Sequence, residues 1–202
     1  PMMLFYMSGI TLWNYFSECL NKTATVFKDN ANIFGKVYFP RLIMPLSIVV
    51  SNLVRLGIQM ILFLSVWVYY LIESNLLHPN AFLLIVPCLI FLMAVLGLGS
   101  GMLISALTTK YRDLIFLLSF GVQLLMYATP VIYSMNTLPP KYAWLIKINP
   151  LSHIIETFRY AFTGSGVFSW YYLGYSTIFA FALLTFGTLV FNKVEKSFMD
   201  TV

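Results

Sequence analysis

The chain has 202 residues, 60% hydrophobic and only 9% charged, with a net charge of +5 and a mean hydropathy of +0.85. An average soluble domain is about 25% charged, so this composition excludes an ordinary water-soluble fold and points to an integral membrane protein. The Lys and Arg residues flank apolar stretches and form no patch, which argues against a nucleic-acid surface.

The pattern predicts an all-α polytopic bundle of five spans in one domain, residues 1–202. The chain runs from Pro1 straight into Met2-Met3-Leu4-Phe5, with no basic n-region or cleavable signal. That start predicts a segment whose true N-terminus lies upstream. The first span, Met2–Phe27, is the least apolar and carries Glu18 and Cys19. A basic loop with Lys28, Lys36 and Arg41 leads to the second span, Ile43–Ile72. Arg55 lies ~18 Å along that span, near mid-membrane by this count. A charge so deep costs ~2.5–3.5 kcal/mol on insertion scales and needs a partner or water. Glu18, at comparable depth, is the expected partner, as a structural bridge or as part of a pathway.

The loop Glu73–Asn80 has no Lys or Arg. The third span, Ala81–Thr108, carries Gly97, Gly101 and Ser105 on one face. Such small residues allow close helix approach, expected within the subunit before a dimer seam. A tight basic turn, Lys110–Asp113, precedes the fourth span, Leu114–Ser134. The fifth runs from Tyr171 to Asn192. Cys19 and Cys88 both lie in apolar stretches and read as buried thiols.

Between the fourth and fifth spans lies a helix too short to cross, Asn149–Gly164. Asn149 suits the cap, Pro150 the first helical position and Gly164 the stop. Its ~21 Å falls short of the ~30 Å hydrocarbon core. Leu151, Ile154, Ile155, Phe158 and Phe162 make an apolar stripe; Ser152, Glu156, Arg159 and Thr163 make a polar one. This reads as a re-entrant or interfacial element bordering a polar path. Glu156 and Arg159, three apart, are expected to pair. A pair that only holds the helix should partly tolerate exchange of its two charges.

Alternating the loops places Lys28, Lys36, Arg41, Lys110, Arg112, Lys193 and Lys196 on one side, against Lys141 and Lys147 on the other, with Arg159 in the short helix. The positive-inside rule makes the first side, and with it the C-terminus, cytoplasmic. Aromatics including Trp67, Tyr69, Tyr70, Tyr133, Tyr142, Trp144, Trp170, Tyr171 and Tyr172 gather near the outer ends. They fit an interfacial belt or, for Tyr69, Tyr133 and Trp144, a platform for sugar rings; spacing does not choose.

Catalytic machinery is not legible. Gly35-Lys36 is followed by Val37 and preceded, five residues back, by Asn30, so a P-loop fails twice. His78 and His153 lack metal-ligand spacing, and no Gly-x-Ser-x-Gly elbow occurs.

Four stretches resemble a known family. They are Gly9-Ile10-Thr11-Leu12-Trp13-Asn14-Tyr15-Phe16; Asn30 to Arg41 with Pro45-Leu46; Lys110-Tyr111-Arg112-Asp113 with Thr129-Pro130-Val131-Ile132-Tyr133; and Asn149-Pro150, Glu156 and Phe158-Arg159. Together they resemble the permease subunit of type-2 ABC exporters for polysaccharide or polyol phosphate, of the O-antigen, capsule or teichoic-acid kind. The resemblance implies six spans and an initial amphipathic helix, of which that helix and one span are missing here. It implies a homodimer in the bacterial inner membrane, embedded in membrane lipid and passing a lipid-linked polysaccharide. A separate ABC ATPase subunit would bind ATP and Mg, with no cofactor in this chain. Lys36, Tyr38, Phe39, Pro40 and Arg41 would couple to that ATPase, and Asn149, Pro150, Glu156 and Arg159 would belong to a gate helix near the outer mouth. Rival readings are a drug or lipid exporter of the same fold, a membrane-embedded glycan-modifying transferase using Glu18, Glu156 or His153, and a membrane scaffold.

Overall fold

A computed structural model describes residues 2–30, 42–73, 80–111, 113–135, 144 and 146–199. The elements in chain order are helices α1 (Met2–Ala24), α2 (Val26–Asp29) and α3 (Ile43–Glu73), a 3-10 turn (Ala81–Ile85), then α4 (Val86–Lys110), α5 (Leu114–Tyr127), α6 (Pro150–Thr163) and α7 (Trp170–Met199). Every regular element among the described residues is helical, giving the expected all-α bundle.

Among the described residues, three stretches are long and apolar enough to cross a membrane: Ile43–Glu73, Ala81–Thr109 and Trp170–Val194. The chain is therefore a multi-pass membrane protein. The other two predicted spans come out differently. α1 has the length, with 23 residues, but carries Asn14, Glu18, Asn21 and Lys22. It forms the centre of the bundle, with Leu4, Leu12, Trp13, Phe16, Cys19 and Leu20 buried. α5 stops after 14 residues, ~21 Å of helix, rather than continuing to Ser134. Pro130 ends it: proline has no N–H for the helix ladder and disfavours helical backbone at the residue before it, Thr129.

α4 runs between α1 and α7, and glycines set the spacing on both sides. A Cβ at Gly97 would lie 2.8 Å from Cys19 Cβ, and one at Gly101 would lie 2.6 Å from Thr23 Cβ. On the other face, a Cβ at Gly99 would meet Leu184 N at 2.9 Å, and one at Gly187 would meet the Gly99 carbonyl oxygen at 2.6 Å. The stripe Gly97–Gly101 thus seats α1 within the same chain. Thr108 Oγ1 donates to the Ala24 carbonyl at 2.8 Å, closing α1's last turn against α4's. Below that contact, Phe27 stacks on Phe191 of α7 at 4.7 Å. Cys19 is buried in this packing, whereas Cys88 is exposed on the apolar surface of α4, contrary to the expected burial of both.

These glycines generate the first prediction. Gly101→Val should destabilise the bundle by about 1–3 kcal/mol through overpacking, while Gly121→Ala, with open space around its Cβ, should leave stability near wild type. Thermal unfolding in detergent, followed by tryptophan fluorescence, measures the difference.

Candidate functional site: the buried Arg159 node

α6 forms where its caps predict. The Asn149 side chain accepts from the Leu151 N–H at 3.1 Å. Gly164 adopts φ 68°, the left-handed conformation that favours glycine, and its N–H returns to the Tyr160 carbonyl. The apolar stripe is buried, with Phe158 and Phe162 packed on Phe63 of α3 at 5.7 and 4.9 Å.

The polar stripe is buried as well. Ser152, Glu156 and Arg159 are covered by protein, where an open polar path along this face was expected. Arg159 Nη1 lies 3.0 Å from Glu156 Oε1, and both side chains are 1% exposed. The guanidinium makes further contacts. Nη1 donates to the Pro130 carbonyl at 2.6 Å and the Tyr133 carbonyl at 3.4 Å, Nη2 to the Val131 carbonyl, and Nε to Ser8 Oγ at 3.3 Å. The Phe5 ring lies 3.7 Å from the Arg159 Cζ, a cation–π contact. Gly9 makes room for all of this: a Cβ there would sit 2.5 Å from the Val131 oxygen and 2.6 Å from Arg159 Nη2.

The reason for such a node lies in the backbone after α5. In an apolar medium every carbonyl freed by a broken helix needs a donor. Those of Leu124 and Met126 take the N–H groups of Ala128 and Thr129. Leu125's accepts from Thr129 Oγ1 at 2.7 Å, and Tyr127's from the Tyr133 hydroxyl at 2.9 Å. Ala128's takes Asn149 Nδ2, which also donates to Thr129 Oγ1 at 2.8 Å. Arg159 supplies Pro130, Val131 and Tyr133. A guanidinium presents five donors in a fixed fork; here the two N–H groups of Nη1 are shared among the Pro130 and Tyr133 carbonyls and Glu156, while Nη2 and Nε serve Val131 and Ser8.

Glu156 sits at the rim of this node and accepts backbone hydrogen bonds from Val167 and Met135 besides its bond with Arg159. Burial pushes its carboxyl above the ordinary value, and the Arg159 charge with those donors pulls against that shift. The far end of α6 is equally closed. Asn80 N donates to the Ala161 carbonyl and Asn80 Nδ2 to Tyr160's, both at 3.4 Å, while Trp67 Nε1 donates to Phe162's at 2.8 Å. Tyr175 and Ser176 of α7 bond the carbonyls of Ile148 and Pro150 at the near end, each at 2.9 Å. The short helix is therefore held to α1, α3, α5 and α7 by polar bonds at fixed points.

The other candidates lie elsewhere. Arg55 contacts Glu18, and Lys22 Nζ lies 3.3 Å from the second Glu18 oxygen; Lys22 follows Glu18 at i+4, the helix spacing at which a Glu–Lys pair is favoured, so this partner was legible in the sequence. α3 has 31 residues, ~46 Å of helix, well beyond the hydrocarbon core. Arg55 lies ~18 Å from the Ile43 end and ~27 Å from the Glu73 end, so the pair is nearer the Ile43 end of α3 without reaching it. Lys36, Tyr38, Phe39, Pro40 and Arg41 are outside the described residues. Tyr69 packs edge-on against Tyr70 at 5.5 Å; Tyr69 and Trp144 are exposed, and Tyr133 is partly buried with its hydroxyl engaged. An aromatic cluster the sequence reading did not assemble joins Phe82, Tyr160, Phe168 and Trp170, with Phe82 and Phe168 centroids 4.5 Å apart. No sequence period unites those positions, because they come from the 3-10 turn, α6, the connection after it and the start of α7.

The environment of Arg159 alters the expectation for exchanging the two charges. Exchange would aim a carboxylate at the carbonyls of Pro130, Val131 and Tyr133, so it should fail on structural grounds alone. Arg159→Met should cost about 3–5 kcal/mol, leaving Glu156 buried without its cation. Gly9→Ala should cost about 1–3 kcal/mol by displacing Arg159 or the turn. In a Cys88→Ser background, the temperature at which buried Cys19 becomes reactive to a thiol dye measures both.

Comparison with known proteins agrees with this architecture. Residues 2–163 match the ABC-2 type transporter family. Two O-antigen export system permease proteins RfbA of Klebsiella pneumoniae are 28% and 26% identical over 98% of this chain and 74% of their own length. One of the same name from Myxococcus xanthus is 24% identical over 78% of this chain and 60% of its own. The family match spans α1 through α6, including Arg159 and every group its guanidinium meets, and the chain belongs to the ABC-2 type transporter family of membrane permeases.

Proposed function

We propose that this permease exports a lipid-linked polysaccharide across the bacterial cytoplasmic membrane, as a homodimer. A member of this family is a transport subunit served by a separate ABC ATPase. One observation carries the choice of cargo: relatives named as O-antigen export permeases align along 98% of the chain. The buried node fits a transporter better than a transferase, since Glu156 and Arg159 are fully engaged with protein and closed to a reacting group.

In this reading α6 is the outer gate. Asn149 and Pro150 fix its start against the end of α5, and the Glu156–Arg159 pair holds its middle to α1. Release of the carbonyls of Pro130 to Tyr133 would free the helix and the turn together. Tyr69 and Trp144 offer exposed aromatic faces to a sugar chain. The C-terminal end of α7, with Lys193 and Lys196, lies in the cytoplasm by the positive-inside rule. Lys36, Tyr38, Phe39, Pro40 and Arg41 seat on the ATPase, which binds ATP and Mg.

Charge reversal of Lys36 and Arg41 to Glu tests the coupling. Membrane insertion and ATPase activity of the complex should persist while surface glycan, read by antibody or lectin on intact cells, is lost. Wild-type surface glycan from that double variant would remove the coupling role. Undiminished surface glycan in a strain lacking the permease would remove the cargo.

A further inference from the structure

A second polar site lies on the seam between α1 and α3, away from the gate node and unused by the reading above. Glu18 stands at its centre, in contact with Arg55 through one oxygen and 3.3 Å from Lys22 through the other. Lys22 also donates to Asn52 Oδ1 at 3.1 Å. Asn14 and Gln59 line the same cleft. Two cations thus share one carboxylate, leaving the cluster one positive charge in excess. Lys22 and Arg55 have side chains 50% and 56% exposed. Their remaining N–H groups, three on an ammonium and five on a guanidinium before any bond is made, open outward from the bundle.

The surroundings narrow what could meet them. Lys22 precedes α1's end at Ala24 by less than a turn and lies ~30 Å along that helix from Met2, the thickness of the hydrocarbon core; Arg55, ~18 Å from the Ile43 end of α3, meets Glu18 one turn below it. That places the Lys22 ammonium at the depth of lipid headgroups on one membrane face, where cations attract anionic lipid, with Arg55 below it on the same seam. From Arg55 through the middle of α3, Ile58 and Leu62 follow at i+3 and i+7 on the same face. They are 60% and 58% exposed. A ligand filling both parts has an anionic head and an apolar tail. Free phosphate would satisfy the cations and leave the strip bare.

We propose that the Lys22–Glu18–Arg55 seam binds the phosphate of an anionic phospholipid, with its acyl chain along Ile58 and Leu62. Glu18 orients the two cations and tempers the affinity; the lipid phosphate completes the charge balance. The site would be occupied by membrane lipid and not by the transported chain.

The test uses the full-length permease bound to its ATPase, in detergent, titrated with phosphatidylglycerol or phosphatidylethanolamine, with bound lipid counted by native mass spectrometry. Wild type should retain phosphatidylglycerol preferentially. Lys22→Gln combined with Arg55→Gln should weaken that retention roughly thirtyfold, given the attraction per cation near a membrane surface. Glu18→Gln should strengthen it, because both cations are then unopposed. A merely structural bridge predicts the opposite sign for Glu18→Gln, and weaker retention there would overturn the proposal. So would unchanged retention in the double variant, equal loss of both lipids, displacement of the lipid by inorganic phosphate, or loss of a co-purifying polyprenyl-linked glycan with phosphatidylglycerol unaffected. Should the double variant fail to fold, the sign of the Glu18→Gln effect decides alone.

Discussion

A broken helix end inside an apolar environment must find donors for its carbonyls, and here one guanidinium meets three of them. The structure around Arg159 follows from that requirement. Pro130 breaks α5, so the backbone that follows turns back with its oxygens pointing inward. Arg159 can reach them only because Gly9 leaves α1 without a side chain at the point of contact. Ser8 and Phe5, one turn apart on the same helix, then supply an acceptor and an aromatic face for the rest of the cation. Removing any one partner leaves the others desolvated, which makes the arrangement all-or-none rather than graded.

The same requirement explains why a helix of 14 residues can sit in a membrane bundle without crossing it. Its ends cannot be left to water as they would be on a soluble surface. Asn149 at one end and Asn80 with Trp67 at the other satisfy groups that would otherwise be orphaned. Asparagine serves twice because its amide both donates and accepts: Asn149 caps α6 with its oxygen while its nitrogen closes the end of α5. The outcome is an element with apolar packing on one side, a polar anchor on the other, and defined points of release at each end.

One ion pair and one ion triad illustrate what burial does to the same chemistry. Glu156–Arg159 is sealed, and its value lies in specifying where α6 sits against α1 and the turn. Glu18 with Lys22 and Arg55 is half open and unequal in charge, so its cations remain available to something outside the bundle. A carboxylate matched to one buried cation locks structure; a carboxylate shared by two exposed ones leaves a charge to be recognised.

Much was legible before any coordinates. The apolar runs around Arg55, Gly97 and Gly187 could only be membrane helices, because length and hydropathy are set by the bilayer and not by neighbours. Asn149, Pro150 and Gly164 announced α6 because caps act locally, through backbone groups within a turn of the residue. The premature end of α5 was less visible: Pro130 was in plain view, but an apolar run continuing through Val131-Ile132 masked it. What the tertiary structure alone decided is which groups the polar residues would meet. The sequence paired Glu156 with Arg159 by spacing, yet gave no sign that the carbonyls of Pro130, Val131 and Tyr133 would share the cation, or that Gly9, far away in the chain, would make the space. Carbonyl oxygens carry no sequence signature, since every residue has one. Their availability depends on where the backbone leaves its helix and which neighbour packs beside it, and only the folded chain fixes those two things together.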